Sequence, residues 1–100
     1  MLYDSTKLLI RGMLRDMETS TAVQWDSQVE LGRECLYEMH QMTRPQYKGW
    51  RGDAKGQTKG VPEFVKATRA IPFVKSMVSA IRRKDQAGAV ISGRAALAEM

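Results

Sequence analysis

The first part of the chain carries apolar residues at the three- and four-residue spacings of a helix that buries one face. From about residue 4 to residue 17 these positions are Leu9, Ile10, Met13, Leu14 and Met17. Residues three and four apart lie on the same side of a helix, so the pattern predicts an amphipathic helix. Asp4 or Ser5 is expected to cap its start, because a short side-chain oxygen there accepts a bond from an unpaired backbone N–H.

A second helix is predicted from about residue 22 to residue 42, after a short polar turn. Thr21 and Gln24 fit the capping-box pattern, in which each side chain bonds the other residue's free backbone donor. The expected inward positions are Trp25, Val29, Cys35, Leu36 and Met39. The connection is too short for anything but an antiparallel hairpin. Gly12 and Gly32 are expected where a neighbour approaches closely.

Charged residues repeat every four positions along both predicted helices. The first helix carries the bases Lys7, Arg11 and Arg15, and the second carries the acids Asp26, Glu30, Glu34 and Glu38. Like charges at this spacing destabilise an isolated helix by about 0.2–0.5 kcal/mol per pair. We therefore expect the two ridges to face each other across the hairpin. Alternatively, the acidic ridge holds the basic segment of the same chain or docks a basic partner.

The C-terminal part predicts two to three shorter helices. Proline suits a first helical turn, where its missing N–H would be unpaired anyway. Helices are therefore expected from about Pro62 to Arg69 and from about Pro72 to Lys84, with a break at residues 70–71. Their contribution to the core would be Phe64, Val65, Phe73, Val74, Met77, Val78 and Ile81.

A final helix rich in small residues is predicted from about residue 87 to residue 98, with Asp85 as its cap. No alternating strand pattern of useful length occurs. A chain of 100 residues is also near the common size of one domain. The sequence therefore predicts one all-α domain over residues 1–100, a small bundle that begins with an antiparallel helical hairpin.

Residues 44–60 join the two helical halves and resemble neither a helix nor a strand. These seventeen residues exceed the usual connection, and loops of that length tend to be functional or disordered. The segment holds four glycines, five bases and one acid, Asp53. Its bases and aromatic residues are Arg44, Tyr47, Lys48, Trp50, Arg51, Lys55 and Lys59. We call residues 44–60 the basic segment.

Positive charge begins abruptly at the basic segment. Residues 1–43 carry four bases against seven acids, whereas residues 61–100 carry seven bases against three acids. The whole chain has a net charge of +5. This polarity favours an acidic partner, such as nucleic acid or an acidic protein surface.

The sequence gives little support to catalysis or metal binding. His40 lies five residues after Cys35, whereas one helical face requires three or four. Structural zinc needs about four Cys or His ligands, and the glycines lack the spacing of phosphate-binding loops. We therefore expect no enzyme activity, no cofactor and no metal. The lone cysteine, and the absence of a signal sequence or an apolar run of spanning length, favour a cytoplasmic protein that does not bind membranes.

Nucleic-acid binding is the function that these features favour most. Lysine and arginine neutralise phosphates, and aromatic rings stack on unpaired bases. The expected site consists of Arg44, Tyr47, Lys48, Trp50, Arg51, Lys55, Lys59, Lys66, Arg69, Arg82, Arg83 and Lys84. A competing interpretation has Trp50 packing back onto the helices. Independently of Trp50, the bases at 82–84 have a structural explanation as well as a binding one, because cations in the last turn of a helix interact favourably with the negative end of its dipole.

The alternative function is a small protein-interaction module. It would be an adaptor or inhibitor, of the kind that compact viral accessory proteins can be, docking on an acidic surface of a larger enzyme or assembly. The seven methionines are compatible with an adaptable binding surface, although methionine also fills cores. The small-residue final helix would suit a homodimer.

Overall fold

Four α-helices make up the part of the chain that the computed structural model describes, residues 2–44 and 62–100. They are α1 (Leu2–Thr19), α2 (Trp25–Met42), α3 (Glu63–Arg82) and α4 (Gln86–Glu99). The described residues contain no strand, so the predicted all-α fold is confirmed. None of these four helices is long and apolar enough to cross a membrane. The basic segment lies outside the described residues, apart from Arg44.

α1 and α2 form the predicted antiparallel hairpin. Gln28 Nε2 donates a hydrogen bond to Asp16 Oδ2 over 3.2 Å near the connecting turn. Thr6 Oγ1 donates to Glu38 Oε1 over 2.7 Å near the other end of the hairpin. Thr6 and Gln28 are both buried. These bonds satisfy polar atoms that would otherwise lose their partners on leaving water, and they align the two helices in one register.

Both helices of the hairpin begin elsewhere than predicted. α1 begins two residues earlier, so the predicted cap residues Asp4 and Ser5 lie within its first turn. α2 begins three residues later, and Gln24 makes no side-chain cap bond, so the predicted capping box is wrong. The side chain of Ser20 explains why α2 begins later than predicted. Its Oγ accepts a bond from Ala22 N over 3.3 Å and donates one to Ala22 O over 3.0 Å, a local pattern that competes with helix formation.

Each helix packs antiparallel against two neighbours in an up-down-up-down bundle. α1 and α3 both pack against α2 and α4, so α1 and α3 lie at opposite corners. Gly93 of α4 lies against Leu14 of α1 and Met77 of α3, where its missing side chain leaves room for both. Tyr3 Oη donates to the backbone oxygen of Met100, which ties the start of α1 to the end of α4.

α3 is one continuous helix that contains Pro72, so the predicted break at residues 70–71 is wrong. Pro72 has no N–H to donate to the Thr68 carbonyl, and a proline inside a helix costs about 3 kcal/mol. Ala67 and Ala70 before it, and Val74 after it, are all fully buried. Burial on both sides of Pro72, which itself faces outward, offsets that cost and keeps the two predicted helices in one line.

Methionine fills much of the core. Five methionines are fully buried, namely Met13, Met17, Met39, Met42 and Met77. An unbranched, flexible side chain fills irregular gaps between helices. These five residues therefore contribute to packing and not to an adaptable surface. Among the predicted inward positions of α2, Cys35 and Met39 are fully buried, whereas Trp25, Val29 and Leu36 are only half-buried.

The two charged ridges do not pair across the hairpin. No ion pair joins them anywhere in the described ranges, and Glu30 instead pairs with Arg33 of its own helix over 3.5 Å. Thr6 is the residue that turns toward α2, and each following residue of a helix is rotated by about 100°. Lys7, the first base of its ridge, therefore points away from α2. Its Nζ lies 5.6 Å from the centre of the Tyr3 ring.

Candidate nucleic-acid interface

The described members of the predicted site lie at both ends of α3. Lys66 and Arg69 occupy its first two turns, and residues 82–84 occupy its end. Arg44 follows α2, whose end lies beside the start of the antiparallel α3. At about 1.5 Å per residue, Lys66 and Arg82 are about 24 Å apart along the axis. The other predicted members, Tyr47, Lys48, Trp50, Arg51, Lys55 and Lys59, lie outside the described residues.

Lys75 connects these two groups and was missing from the predicted site. It is exposed midway along α3, seven residues before Arg82. Arg69 and Arg83 are two such seven-residue steps apart, and seven residues make nearly two helical turns. Repeated bases at that spacing were a signal that the sequence contained. We call Lys66, Arg69, Lys75, Arg82, Arg83 and Lys84 the basic face.

Most cations of the basic face have no acidic partner. Within the described residues, no carboxylate lies within ion-pair distance of Lys66, Arg69, Lys75, Arg82 or Lys84. Arg83 is the exception, with Nη2 3.7 Å from Asp85 Oδ2. All of these side chains are exposed except that of Lys66, which is half-buried. Such cations keep their counterions in water and can exchange them for phosphates.

The neighbouring helix α2 has the opposite charge. α3 carries four bases and one acid, whereas α2 carries four acids and one base, Arg33. α4 is balanced, with Arg94 against Glu99. Because like charges repel, a polyanion would be disfavoured on the α2 side of α3. The charges therefore favour the outer side of α3 and the α4 side for an anionic strand, except at the end of α3, where Arg82 and Lys84 border α2.

A polar cleft lies on that outer side, between α3 and α4. It encloses about 290 Å³. α3 contributes Lys75, Ser76, Ser79 and Arg83 to its walls, and α4 contributes Ser92. Hydroxyl groups donate hydrogen bonds to phosphate oxygens, and the two cations supply the opposite charge. The cleft is therefore chemically suited to bind a phosphate group.

The turn after α3 holds the last three bases of the basic face in place. Asp85 N donates to Ala80 O over 2.8 Å and Lys84 N donates to Ile81 O over 2.9 Å, the two bonds that define a Schellman helix end. Asp85 Oδ1 then accepts from Gly88 N over 2.9 Å, which confirms the predicted cap of α4. The backbone groups at the end of α3 and at the start of α4 thus find hydrogen-bond partners within one short connection. This connection fixes the positions of Arg82, Arg83 and Lys84.

Cys35 is a core residue without features of a reactive thiol. It is fully buried, and this burial, with smaller effects from Glu38 and Glu34, raises the pKa of its thiol to about 12. The nucleophilic form of cysteine is the thiolate, so Cys35 is unreactive at neutral pH. His40 is exposed at the end of α2. No cluster of metal-ligating side chains occurs within residues 2–44 and 62–100.

No family model, curated protein or solved structure matches this chain. The features that bear on its function are therefore the basic face, the polar cleft beside it and the basic segment, which begins at Arg44.

Proposed function

We propose that this protein binds nucleic acid without catalysing a reaction, using the basic face of α3 together with the basic segment. The observation that carries the proposal is a series of exposed cations from Arg69 to Lys84, of which all but Arg83 lack an acidic partner among the described residues. Each phosphate that such a cation neutralises releases counterions, which provides affinity without a requirement for sequence. Tyr47 and Trp50 of the basic segment would add stacking on unpaired bases.

The length of the basic face sets the size of the proposed partner. Arg69 and Arg83 lie within about 40° of each other around the helix and about 21 Å apart along its axis, which matches about six phosphates at roughly 3.4 Å spacing along one strand. The polar cleft would receive one of these phosphates. Along most of α3 the acidic helix α2 would keep the strand on the α4 side. At the end of α3, two cations of the basic face, Arg82 and Lys84, border α2 instead.

The test compares two double variants that remove equal charge from opposite corners of the bundle. Arg69→Gln with Lys75→Gln changes the basic face, and Arg11→Gln with Arg15→Gln changes α1, the helix diagonal to α3. Affinity for single-stranded and duplex oligonucleotides is measured by fluorescence anisotropy over a range of salt concentrations. We expect the α3 variant to lower the slope of log K against log salt by about 1.4–1.8, since two phosphate contacts are lost.

The α1 variant should retain nearly the wild-type slope. If both variants lower the slope of log K against log salt equally, only net charge matters, and a defined interface on α3 is contradicted. An absence of binding by the wild-type protein at low salt would overturn the proposal entirely.

One surface favours the alternative function, docking on an acidic protein. Leu8 is 65% exposed on α1, and Arg11 and Arg15 lie one and two turns further along, also exposed. An apolar side chain beside cations that form no ion pair within the described residues suits an acidic surface with an apolar pocket. Capture of one protein after nuclease treatment, lost with Leu8→Asp and retained with Arg69→Gln, would support this function in place of the first.

A further inference from the structure

A groove between the start of α2 and the end of α3 combines an aromatic ring with cations. It measures about 380 Å³, and its apolar wall consists of Trp25, Val29 and Ile81. Trp25 was expected in the core, yet it is only half-buried and borders this groove. Small-molecule sites commonly occupy about 300–1,000 Å³ and combine apolar walls with a few polar groups. The groove has the size and composition of such a site.

Two cations line the groove with their charges available. Arg82 and Lys84 both border it, as do the carboxylates of Asp26 and Glu30. Neither cation forms an ion pair with these or other acids of the described residues, and Glu30 pairs instead with Arg33 of its own helix over 3.5 Å. The groove thus presents two positive charges on its α3 side and two carboxylates, which are negatively charged and accept hydrogen bonds, on its α2 side.

The backbone of Lys84 gives an independent reason to expect that its side chain is used. Lys84 has φ of 58°, the left-handed region, and is the one such non-glycine residue within the described ranges. It occupies the position of a Schellman helix end at which glycine is strongly preferred. A side chain there strains the backbone by about 1 kcal/mol, and residues held in such strain concentrate at functional sites. Here the strained residue places an ammonium group at the groove.

We infer that this groove binds one nucleotide unit of a nucleic-acid strand. The base lies against the Trp25 ring, and the phosphate is held by Arg82 and Lys84. Asp26 and Glu30 accept hydrogen bonds from sugar hydroxyls or exocyclic amino groups, which are the donors that a nucleotide offers. The inference rests on the proposed function and adds a defined end to the strand path along α3.

The protein contains two tryptophans, Trp25 and Trp50, so one substitution isolates the signal of the groove. In Trp50→Phe all tryptophan fluorescence comes from Trp25. A labelled oligoriboadenylate, which offers 2′-hydroxyls and exocyclic amino groups, is titrated into this variant, and strand anisotropy and tryptophan emission are recorded together. We expect binding accompanied by quenching of Trp25. Adding Lys84→Gln should weaken the binding roughly three- to tenfold, the scale of one charge-assisted contact. Adding Lys7→Gln, on α1, should leave it unchanged.

The outcomes separate this inference from the proposed function. If Trp50→Phe binds the strand but the Trp25 emission stays constant, the groove is not the site and the basic face alone remains. If Trp25 is quenched but adding Lys84→Gln leaves the affinity unchanged, Lys84 does not hold a phosphate at the groove and the inference is again overturned. If the wild-type protein does not bind, both proposals fail.

Discussion

Gly32 of α2 lies directly against Val78 of α3. A Cβ on Gly32 would lie 2.5 Å from Val78 Cγ2, a separation that requires one of the helices to move, because a valine side chain has little freedom to turn away. The prediction of a close neighbour at Gly32 is therefore confirmed. We expect Gly32→Ala to lower the free energy of unfolding by about 1–3 kcal/mol, the usual effect of overpacking, as measured by urea unfolding.

Gly12 provides the matched control, since it lies in α1 and was predicted to have a close neighbour as well. That prediction is wrong, because nothing lies within 4 Å of a Cβ at Gly12. Gly12→Ala should therefore raise the free energy of unfolding by about 0.5–1 kcal/mol through helix propensity alone. Changes of the same sign in both variants would contradict the packing described for α2 and α3.

The continuity of α3 through Pro72 predicts an unusual response to removing a proline. Pro72→Ala restores an N–H that can donate to the Thr68 carbonyl and removes the clash of the ring with the preceding turn. We expect the free energy of unfolding to rise by about 1–2 kcal/mol in thermal or urea unfolding. Pro62→Ala is the control, because Pro62 precedes α3 with φ of −60° and ψ of 152° and replaces no helical bond. It should be neutral or destabilising by up to about 1 kcal/mol, and stabilisation there instead of at Pro72 would refute the continuous helix.

The helices could be predicted from the sequence because their signals are local. The spacing of Ile10, Met13 and Met17 depends on one helix only, and the Asp85 cap depends on a residue three positions away. The continuity of α3 could not be predicted in this way. It depends on burial of Ala67 and Ala70 against other helices, which a single segment does not show.

The candidate site was predictable only in part, for a similar reason. The bases could be read from the sequence, and Lys75 was missed although its seven-residue spacing from Arg82 lies within one predicted helix. Only the placement of Lys66 and Arg69 on that same helix required α3 to continue through Pro72. The pairing of the charged ridges was wrong because the rotation of α1 is set by Thr6 facing Glu38. The groove beside Trp25 forms where the start of α2 meets the end of α3. No residue spacing within either helix indicates that these two parts lie together.

The buried thiol of Cys35 should make the protein less stable in alkaline solution. Burial raises its thiol pKa from the ordinary value of 9.0 to about 12. The unfolded chain therefore loses this proton above about pH 9 while the folded chain keeps it. This difference in thiol pKa affects the free energy of unfolding. Its stabilising effect is fully present below pH 9 and is lost as the pH rises toward 12, at up to about 1.4 kcal/mol per pH unit.

The measurement compares wild-type protein with Cys35→Ala in urea unfolding between neutral and alkaline pH. The variant is expected to be less stable at pH 7, since a buried side chain has been shortened, but to lose less stability on going to high pH. A thiol reagent should also react slowly with the native wild-type protein. Parallel pH profiles, or rapid reaction under native conditions, would show that Cys35 is not buried as described.

Lys84 should show opposite effects on stability and on binding. Its φ of 58° suits glycine, so Lys84→Gly relieves backbone strain and should raise the free energy of unfolding by about 0.5–1 kcal/mol. The same change removes a cation from the groove and from the basic face, so oligonucleotide affinity should fall. Lys84→Gln separates the two effects, because it keeps a side chain on the strained backbone but removes the charge. It should leave stability nearly unchanged and weaken binding as much as Lys84→Gly does. If Lys84→Gly stabilises the protein while affinity stays at the wild-type level, the lysine side chain has no part in binding, and the strain at this turn must have another cause.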